Sequence, residues 1–284
     1  MALEQNGLPF EMSRVAELNE ARAYKSLIQA PKAEECSRLG LRAVSVGSAV
    51  AIMADGIRSS LTLNRVIGLG MDEPITAVEL DRVVALYSTT NAPFALEISP
   101  LARAENIKEL LQKYRIRRVG AKSAIFAHDL KSVPSVENEV RIERIGTEHS
   151  EQFASICCEA FQMPAETAVL LRSVGGRSEW RQWMVFDGDV PAGAALSYVE
   201  GPWAWLGWAA TLPNYRGRGF HSAYLTAAMR EAAHCGCEWF TSETAVGTAN
   251  KPDQAYRNYG RLGFDLLYER TTFMGYRPSI ALST

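Results

Sequence analysis

The sequence predicts an α+β protein in which a mixed, largely antiparallel sheet is flanked by helices, divided between two domains. The chain has 284 residues, more than one ordinary hydrophobic core accommodates. In both halves, apolar runs typical of strands are followed by segments of helical periodicity. A Ser-, Pro- and charge-rich stretch at 129–139 separates two apolar regions, as linkers do. We place the boundary near residue 136, which gives domains at 1–136 and 137–284.

The first half mixes strands with helices. Residues 43–54 alternate bulky and small side chains and predict one strand that ends at Asp55-Gly56. Further apolar runs cover 61–70 and 94–99, and helical patterns occupy about 76–90 and 103–115.

The second half begins with a strand at 139–145, helices near 148–161 and 164–173, and strands at 181–187, 192–199 and 203–211. Turn signals at 187–189 and 200–202 separate the last three strands, which favours an antiparallel meander. The next segment is a helix whose apolar face is formed by Leu225, Ala228, Met229, Ala232 and Cys235, and Gly236 is placed to end it. A strand at 238–246, a helix at about 253–262 and a strand through Phe273 complete the half.

Composition excludes several classes of function. Lys plus Arg number 30 against 32 Asp plus Glu, so a net charge of -2 argues against a nucleic-acid partner. The N-terminal residues show no signal peptide, and the uncharged stretches at 43–54 and 201–215 are too short to span a bilayer. Five cysteines without a C-x-x-C pair fit reduced thiols in a cytoplasmic protein. His128, His149 and His234 lack metal-ligand spacing, so no metal is implied.

A faint internal duplication is one interpretation of the two halves, and chance is the alternative. Phe94-Ala-Leu-Glu97 leads after 17 residues to Tyr114, and Phe240-Thr-Ser-Glu243 leads after 16 residues to Tyr259. From Gly70 to Glu97 is 27 residues and from Ala210 to Glu243 is 33. The difference of six residues is the length of the segment RGRGFH. If the halves are related, the first lacks this segment.

The sharpest signal is a loop between a strand and an amphipathic helix. After Pro213 come Arg216-Gly217-Arg218-Gly219, and the helix begins at once. A helix N-terminus leaves about four N–H groups unpaired and carries roughly half a positive charge. Two glycines let the backbone approach an anion closely, and two arginines add positive charge beside it, so a pyrophosphate fits. A solvated glycine-rich turn is the alternative.

Two other phosphate loops are excluded by their residues. A Walker A loop needs Lys before the Ser or Thr at the helix start, and this loop has no Lys. A dinucleotide fingerprint needs a third glycine where Ser222 stands, and the preceding strands are predicted to be antiparallel.

The loop resembles the central motif of the GCN5-related N-acetyltransferase (GNAT) family, [QR]-x-x-G-x-[GA] between the fourth strand and third helix. Arg216 and Gly219 match its first and fourth positions, while His221 replaces the final small residue. A second family motif is present as Ala255, Tyr259 and Leu262-Gly263-Phe264. The asparagine usually seven residues before the tyrosine is replaced by Pro252, with Asn250 two residues early. The resemblance covers residues 139 to about 276, and the first half shares it only through the duplication.

This resemblance implies an acyl-CoA N-acyltransferase fold, with two tandem GNAT-like domains of which the first is degenerate and lacks the phosphate loop. It implies that acetyl-coenzyme A (acetyl-CoA) lies in a V-shaped opening between two splayed parallel strands and gives its acetyl group directly to an amine. The expected cofactor-binding residues are the backbone of Ala209, Ala210 and Thr211 for the pantetheine arm, Arg216, Gly217, Arg218, Gly219, Phe220, His221 and Ser222 for the pyrophosphate, and Asn250. A histidine at 221 adds either a donor or crowding, and a surface position for its ring is favoured over phosphate binding.

Acid and base candidates follow from the chemistry of amine attack on a thioester, which needs a proton for the leaving thiolate and a base for the amine. Tyr259 is the candidate acid, since a phenol near pKa 10 is comparable with an alkyl thiol, and a core aromatic is the alternative. Glu243 is the candidate base, with a salt-bridged strand residue as the alternative and Glu200 and Glu269 as weaker choices. Trp203, Trp205 and Trp208 are expected in packing, although one could line an acceptor pocket.

The sequence therefore predicts an acetyl-CoA-dependent N-acetyltransferase acting on a small-molecule amine, with no metal, nucleic-acid or membrane partner, and with a homodimer left open. A coenzyme A-binding regulatory module without turnover is the alternative, favoured by the departures at His221 and Pro252.

Overall fold

The computed structural model describes residues 10–90, 92–135, 140–248 and 251–276, which fall into two compact units. The C unit comprises Ala30–Lys32 and Lys122–Glu269, and the N unit comprises Phe10–Gln29, Ala33–Ala121 and residues 270–276. The boundary expected near residue 136 lies outside the described residues. The chain passes between units within two strands, β5 (Arg117–His128) and β13 (Asp265–Gly275). Each unit thus takes part of a strand from the other half of the sequence.

The N unit is a mixed sheet with helices. Its elements are α1 (Phe10–Gln29), α2 (Ala33–Leu39), β1 (Leu41–Val46), β2 (Ala49–Ala54), β3 (Arg65–Ile67), α3 (Ala77–Ser88), β4 (Phe94–Ile98) and α4 (Ile107–Lys113), with parts of β5 and β13. The strand order is β1-β2-β3-β4-β13. Among the described strands, β3 and β4 pair in parallel, and the β1–β2, β2–β3 and β4–β13 pairs are antiparallel.

Two expectations for the N unit fail. Residues 43–54 form a hairpin rather than one strand, because Val46 pairs with Ala49 across a two-residue turn in which Gly47 has φ +59°. Such a turn needs positive φ, which glycine adopts at no steric cost. The 20-residue helix α1, most of which is buried, was not predicted at all.

Buried charges hold α1 to the sheet of the N unit. The fully buried guanidinium of Arg270 on β13 lies 3.0 Å from Glu17 and 2.8 Å from Glu20, both on α1. Its Nε is 3.4 Å from Glu97 on β4, and Arg65 on β3 pairs with Glu20 at 2.9 Å. Removing one partner from such a buried cluster strongly destabilises a fold, because the remaining charge is left buried without compensation.

The C unit has the predicted order of elements. They are β6 (Arg141–Arg144), α5 (Ser150–Phe161), α6 (Ala168–Ser173), β7 (Trp180–Asp187), β8 (Val190–Glu200), β9 (Trp203–Thr211), α7 (Phe220–His234), β10 (Trp239–Ala245), the short strands β11 (Gly247–Thr248) and β12 (Lys251–Pro252), and α8 (Gln254–Arg261). The strand order is β6-β7-β8-β9-β10-β5-β13, and β9 and β10 pair in parallel. The β6–β7, β7–β8, β8–β9 and β10–β5 pairs are antiparallel, which confirms the predicted meander.

Helix α7 packs on this sheet through the predicted apolar face, with one exception. Leu225, Ala228 and Met229 are buried in the core of the C unit, which also contains Phe240 and Tyr259. Cys235 is exposed rather than buried, because the helix has ended at His234 and Gly236 follows with φ +83°. Among the described residues, no helix is both long and apolar enough to cross a membrane.

The two units share the centre of their topology. Antiparallel pairs, two in the N unit and three in the C unit, lead to a parallel pair whose strands are joined through a helix, and the second parallel strand pairs with an antiparallel neighbour. The last parallel pairs are Val66–Leu96 and Leu206–Ser242. Two residues beyond them along the first strand, Gly68 and Trp208 both have positive φ, +87° and +54°. This agreement supports the duplication interpretation.

Candidate active site

The two parallel strands of the C unit separate after Leu206 and Ser242. Before that point four consecutive residues pair, and none pairs beyond it. β9 continues to Thr211 along β8, and β10 continues to Ala245 along β5. The gap between them is bordered by residues 207–211 and 243–245, so Ala209, Ala210 and Thr211 lie on one wall, as expected.

A bulge in β9 accompanies the separation. Leu196 pairs with Gly207 and Ala194 with Ala210, so three steps on β9 oppose two on β8. Trp208 lies in this bulge with φ +54°, a conformation that non-glycine residues adopt rarely. Bulges bend a strand and are frequent beside active sites.

The predicted loop ends at the N-terminus of α7. Gly217 and Gly219 have φ +79° and +82°, and α7 begins at Phe220. Within the described part of the chain, no residue accepts a hydrogen bond from the N–H groups of residues 217–222. The first hydrogen bond of the helix is Ala223 N–H to Gly219 O at 3.1 Å. These amides are therefore available to an anion at the positive end of the helix dipole.

Both loop arginines are already bonded to the protein. Arg216 donates to the carbonyl of Thr211 at 3.1 Å and to that of Ala160 at 3.2 Å. Arg218 donates twice to Asp187, at 2.7 and 2.6 Å, which raises the pKa of Arg218 and lowers that of Asp187. The arginines thus brace the loop against β7, β9 and α5, while their charge stays beside the free amides.

Tyr259 lies at the base of the gap. Its ring stacks on Phe126 at 4.9 Å, and its hydroxyl is 2.6 Å from Oγ of Ser242. It is buried, and burial raises its pKa above the ordinary value, an effect that the Ser242 hydrogen bond opposes and the charges of Glu243 and Asp253 reinforce. The expectation of a phenol near its ordinary pKa is therefore wrong, because the sequence shows the residue but not its desolvation.

His221 is half-buried and its ring packs against Tyr259, so it does not take the open surface position that the sequence favoured. Its ring meets that of Tyr259 edge-on at 5.7 Å and that of Tyr224 at 5.2 Å. Burial lowers its pKa to about 4, which keeps the imidazole neutral at pH 7. Its buried Nδ1 has no hydrogen-bond partner among the described residues.

Two carboxylates flank the base of the gap. Glu243 is half-buried, directly follows Ser242 and raises the pKa of Tyr259 by its charge. Asp253 caps α8 by accepting from Ala255 N at 2.8 Å and also accepts from Thr244 Oγ1 at 3.2 Å. Its charge opposes the lowering of the His221 pKa by burial and adds to the raising of the Tyr259 pKa. The sequence missed Asp253, although an Asp before a helical segment is an N-cap signal.

The other sequence candidates fall elsewhere. Glu200 pairs with Trp203 at the opposite end of β9 from Thr211, and Glu269 forms an ion pair with Lys122 at 2.8 Å. Asn250 lies outside the described residues. Trp203 stacks on Trp239 at 5.9 Å and Trp205 is buried, as packing residues. In the described ranges, no group of three His, Cys, Asp or Glu residues is arranged to hold a metal ion.

A splayed parallel pair, a bulge and an amide-lined loop before a helix together define the acyl-CoA N-acyltransferase fold. Residues 147–264 match the Acetyltransferase (GNAT) family model. The match covers less than half of the chain, so residues 147–264 are similar to the GNAT family, whose members transfer acyl groups from acyl-coenzyme A to amines.

Solved structures share the fold over most of the chain. A GCN5-related N-acetyltransferase from Kribbella flavida is 16% identical with a TM-score of 0.63, and the match covers 94% of this chain and 96% of that one. A GCN5-related N-acetyltransferase from Sphaerobacter thermophilus is 18% identical with a TM-score of 0.57, covering 73% of this chain and 68% of that one. No curated protein sequence matches the chain significantly.

Proposed function

We propose that the C unit is an acetyl-CoA-dependent N-acetyltransferase that acetylates a small-molecule amine. The observation that carries the proposal is the set of unpaired amides at residues 217–222, next to a gap that holds a buried tyrosine. An anion-binding helix terminus beside an open strand edge suits a diphosphate joined to an extended arm.

The residues present fit coenzyme A in two places. The amides of Gly217–Ser222 would bind the diphosphate. Arg216 and Arg218 would add positive charge beside it while they keep their hydrogen bonds to the protein. The backbone of Ala209–Thr211 would pair with the amides of the pantetheine arm, since no strand in the described residues pairs with that edge of β9 beyond Leu206. Asn250 remains a proposed contact.

The chain supplies an acid and a base at the gap. We assign Tyr259 to protonate the leaving thiolate and Glu243 to take the proton of the amine, directly or through water. We propose that main-chain N–H groups at the β9 bulge donate to the developing oxyanion.

The finer assignments rest on charge and composition. A net charge of -2 offers no footprint for nucleic acid, so we propose a small amine as acceptor. The five cysteines, all within the described residues, form no disulfide, which suits a protein in a reducing cytoplasm. A homodimer stays a proposal without a contact in its support.

We propose that the N unit, a degenerate GNAT-like domain, binds no coenzyme A, because its own chain closes the equivalent gap. Gly70, the counterpart of Ala210, accepts from Arg103 N–H at 2.8 Å, and Ile75 N–H donates to Arg103 O at 2.8 Å. A Cβ on Gly70 would lie 2.8 Å from Ala102 Cβ and from Arg103 O. Residues 102–105 thus occupy the edge that stays open in the C unit.

Substitution Tyr259→Phe tests the proposal. Thiol release from acetyl-CoA with a panel of small amines should fall at least about tenfold, because the acid is lost while the ring packing remains. Coenzyme A affinity by calorimetry should change little.

The alternative, a coenzyme A-binding module without turnover, is favoured by the departures from the family motifs at His221 and Pro252. It predicts coenzyme A binding without thiol release by the unsubstituted protein, whatever amine is offered. That result would refute the enzymatic proposal.

A further inference from the structure

Ser242 stands where the two parallel strands part. It is the last residue of β10 paired with β9, its partner is Leu206, and it is buried. Its hydroxyl donates to the carbonyl of Leu206 at 2.8 Å. The same oxygen is 2.6 Å from the hydroxyl of Tyr259 on α8. One side chain therefore connects the two separating strands, β9 and β10, to the candidate acid.

The number of protons fixes the direction of these bonds. A serine hydroxyl has one hydrogen, and the Leu206 carbonyl can only accept. If Ser242 donates to Leu206, Tyr259 must donate to Ser242. The phenolic O–H of Tyr259 thus points at Ser242 Oγ. The hydroxyl hydrogen of Ser242 can turn towards Tyr259 once the phenol has lost its proton.

We infer that Ser242 is a positioning residue for Tyr259: it holds the phenol at the point where β9 and β10 separate, and it stabilises the phenolate formed when Tyr259 gives up its proton. The inference rests on the proposed function. The position lies outside both motifs that carry the family resemblance.

The step balances as follows. The amine nitrogen forms a bond to the acyl carbon and loses a proton to Glu243 or water, and the carbon–sulfur bond breaks. The sulfur takes the phenolic proton of Tyr259, so an O–H bond breaks and an S–H bond forms. The Ser242 hydroxyl rotates from the Leu206 carbonyl to the phenolate, and the proton released by the amine later restores Tyr259.

This role answers a difficulty of the site. Burial disfavours the phenolate of Tyr259, and the charges of Glu243 and Asp253 disfavour it further. Hydrogen bonds to ionised groups are stronger than those between neutral groups. Among the described side chains, Ser242 alone lies within hydrogen-bond distance of the Tyr259 hydroxyl.

A kinetic series separates positioning from packing. Ser242→Ala should lower kcat about tenfold to hundredfold, the value of a hydrogen bond to a charged group, with KM for acetyl-CoA within about twofold. Ser242→Thr should restore most of the rate because it keeps the hydroxyl. Thr241→Val is the matched control, since Thr241 is buried on the same strand and its hydroxyl donates to the β9 carbonyl of Ala204 at 3.3 Å.

A double-variant cycle makes the decisive comparison. If Ser242 acts through Tyr259, then Ser242→Ala combined with Tyr259→Phe should be no slower than Tyr259→Phe alone. Rate losses that multiply in the double variant would overturn the inference, as would a Thr241→Val loss equal to that of Ser242→Ala. Equal losses of coenzyme A affinity and kcat/KM in Ser242→Ala would also overturn it, since Ser242 would then serve strand packing.

A readout without turnover distinguishes this inference from the proposed function. The buried hydroxyl proton of Tyr259 should give a slowly exchanging NMR signal, assigned by its loss in Tyr259→Phe. We expect that signal to shift or broaden in Ser242→Ala and to persist in Ser242→Thr and Thr241→Val. An unchanged signal in Ser242→Ala refutes the bond, whereas absent thiol release with the expected NMR changes refutes only the enzymatic proposal.

Discussion

Replacing Gly217 by alanine tests whether the loop holds its anion site through backbone conformation. Gly217 has φ +79°, and an added Cβ would meet no atom within 4 Å. Any effect on the free protein is therefore conformational, of about 1 kcal/mol for a non-glycine residue in the left-handed region. If the loop of the variant relaxes to avoid this cost, coenzyme A binding must return residue 217 to the left-handed conformation. A cost of about 1 kcal/mol corresponds to about a fivefold rise in Kd.

Gly236 provides a matched control. It has φ +83°, an added Cβ would also meet nothing within 4 Å, and it lies at the other end of α7. Gly236→Ala should lower the free energy of unfolding by a similar amount, about 1 kcal/mol. It should leave coenzyme A affinity unchanged, because the helix C-terminus has no proposed contact with the ligand.

Calorimetric titration with coenzyme A and urea unfolding of both variants give the comparison. We expect Kd to rise at least about fivefold in Gly217→Ala and to stay within about twofold in Gly236→Ala. The added Cβ at 217 also projects into the open space where the diphosphate would lie, so a larger loss agrees with the account. Equal Kd values for the two variants would refute the reasoning.

Three further predictions concern stability and stoichiometry. Arg270→Met should lower the free energy of unfolding by about 3–5 kcal/mol in urea, because Glu17 and Glu20 would keep buried charge without it; a loss below about 1 kcal/mol would contradict this. Calorimetry should find one coenzyme A per chain, and two would show that residues 102–105 do not close the N unit. His221 has its pKa lowered from 6.5 to about 4 by burial, so its contribution to stability is present above pH 6.5 and lost as the pH falls towards 4. His221→Gln should flatten that acid dependence, and an unchanged dependence would contradict the burial.

The order of elements in the C unit was largely predictable because local signals agree there. Turn residues separate β7, β8 and β9, and Gly236 follows α7 as the helical pattern predicted. In the N unit the Gly47-Ser48 turn went unrecognised because the whole stretch is uncharged and alternates without interruption. Helix α1 was not predicted because the charged Glu17 and Glu20 interrupt the apolar pattern of its buried face. Their burial depends on ion pairs with Arg270, which is distant in the sequence.

The candidate site was predictable as far as its motifs reach. Residues 216–222 could be singled out because anion binding by main-chain amides needs glycines directly before a helix. Tyr259 could be singled out from its spacing within the second family motif. Ser242 was missed because its contact with Tyr259 spans 17 residues and depends on where two strands part. The burial of His221 and the pairing of Arg218 with Asp187 likewise depend on packing between elements, which no local pattern encodes.

The amides at residues 217–222 can be observed directly. In a 1H–15N NMR titration, coenzyme A should shift the Gly217 and Gly219 amide signals strongly downfield, as expected for N–H groups that begin to donate to phosphate oxygens. Pantetheine, which lacks the diphosphate, should leave those two signals in place while shifting residues 209–211. If coenzyme A binds and the two glycine amides do not move, the diphosphate is held elsewhere and the account of the site is wrong.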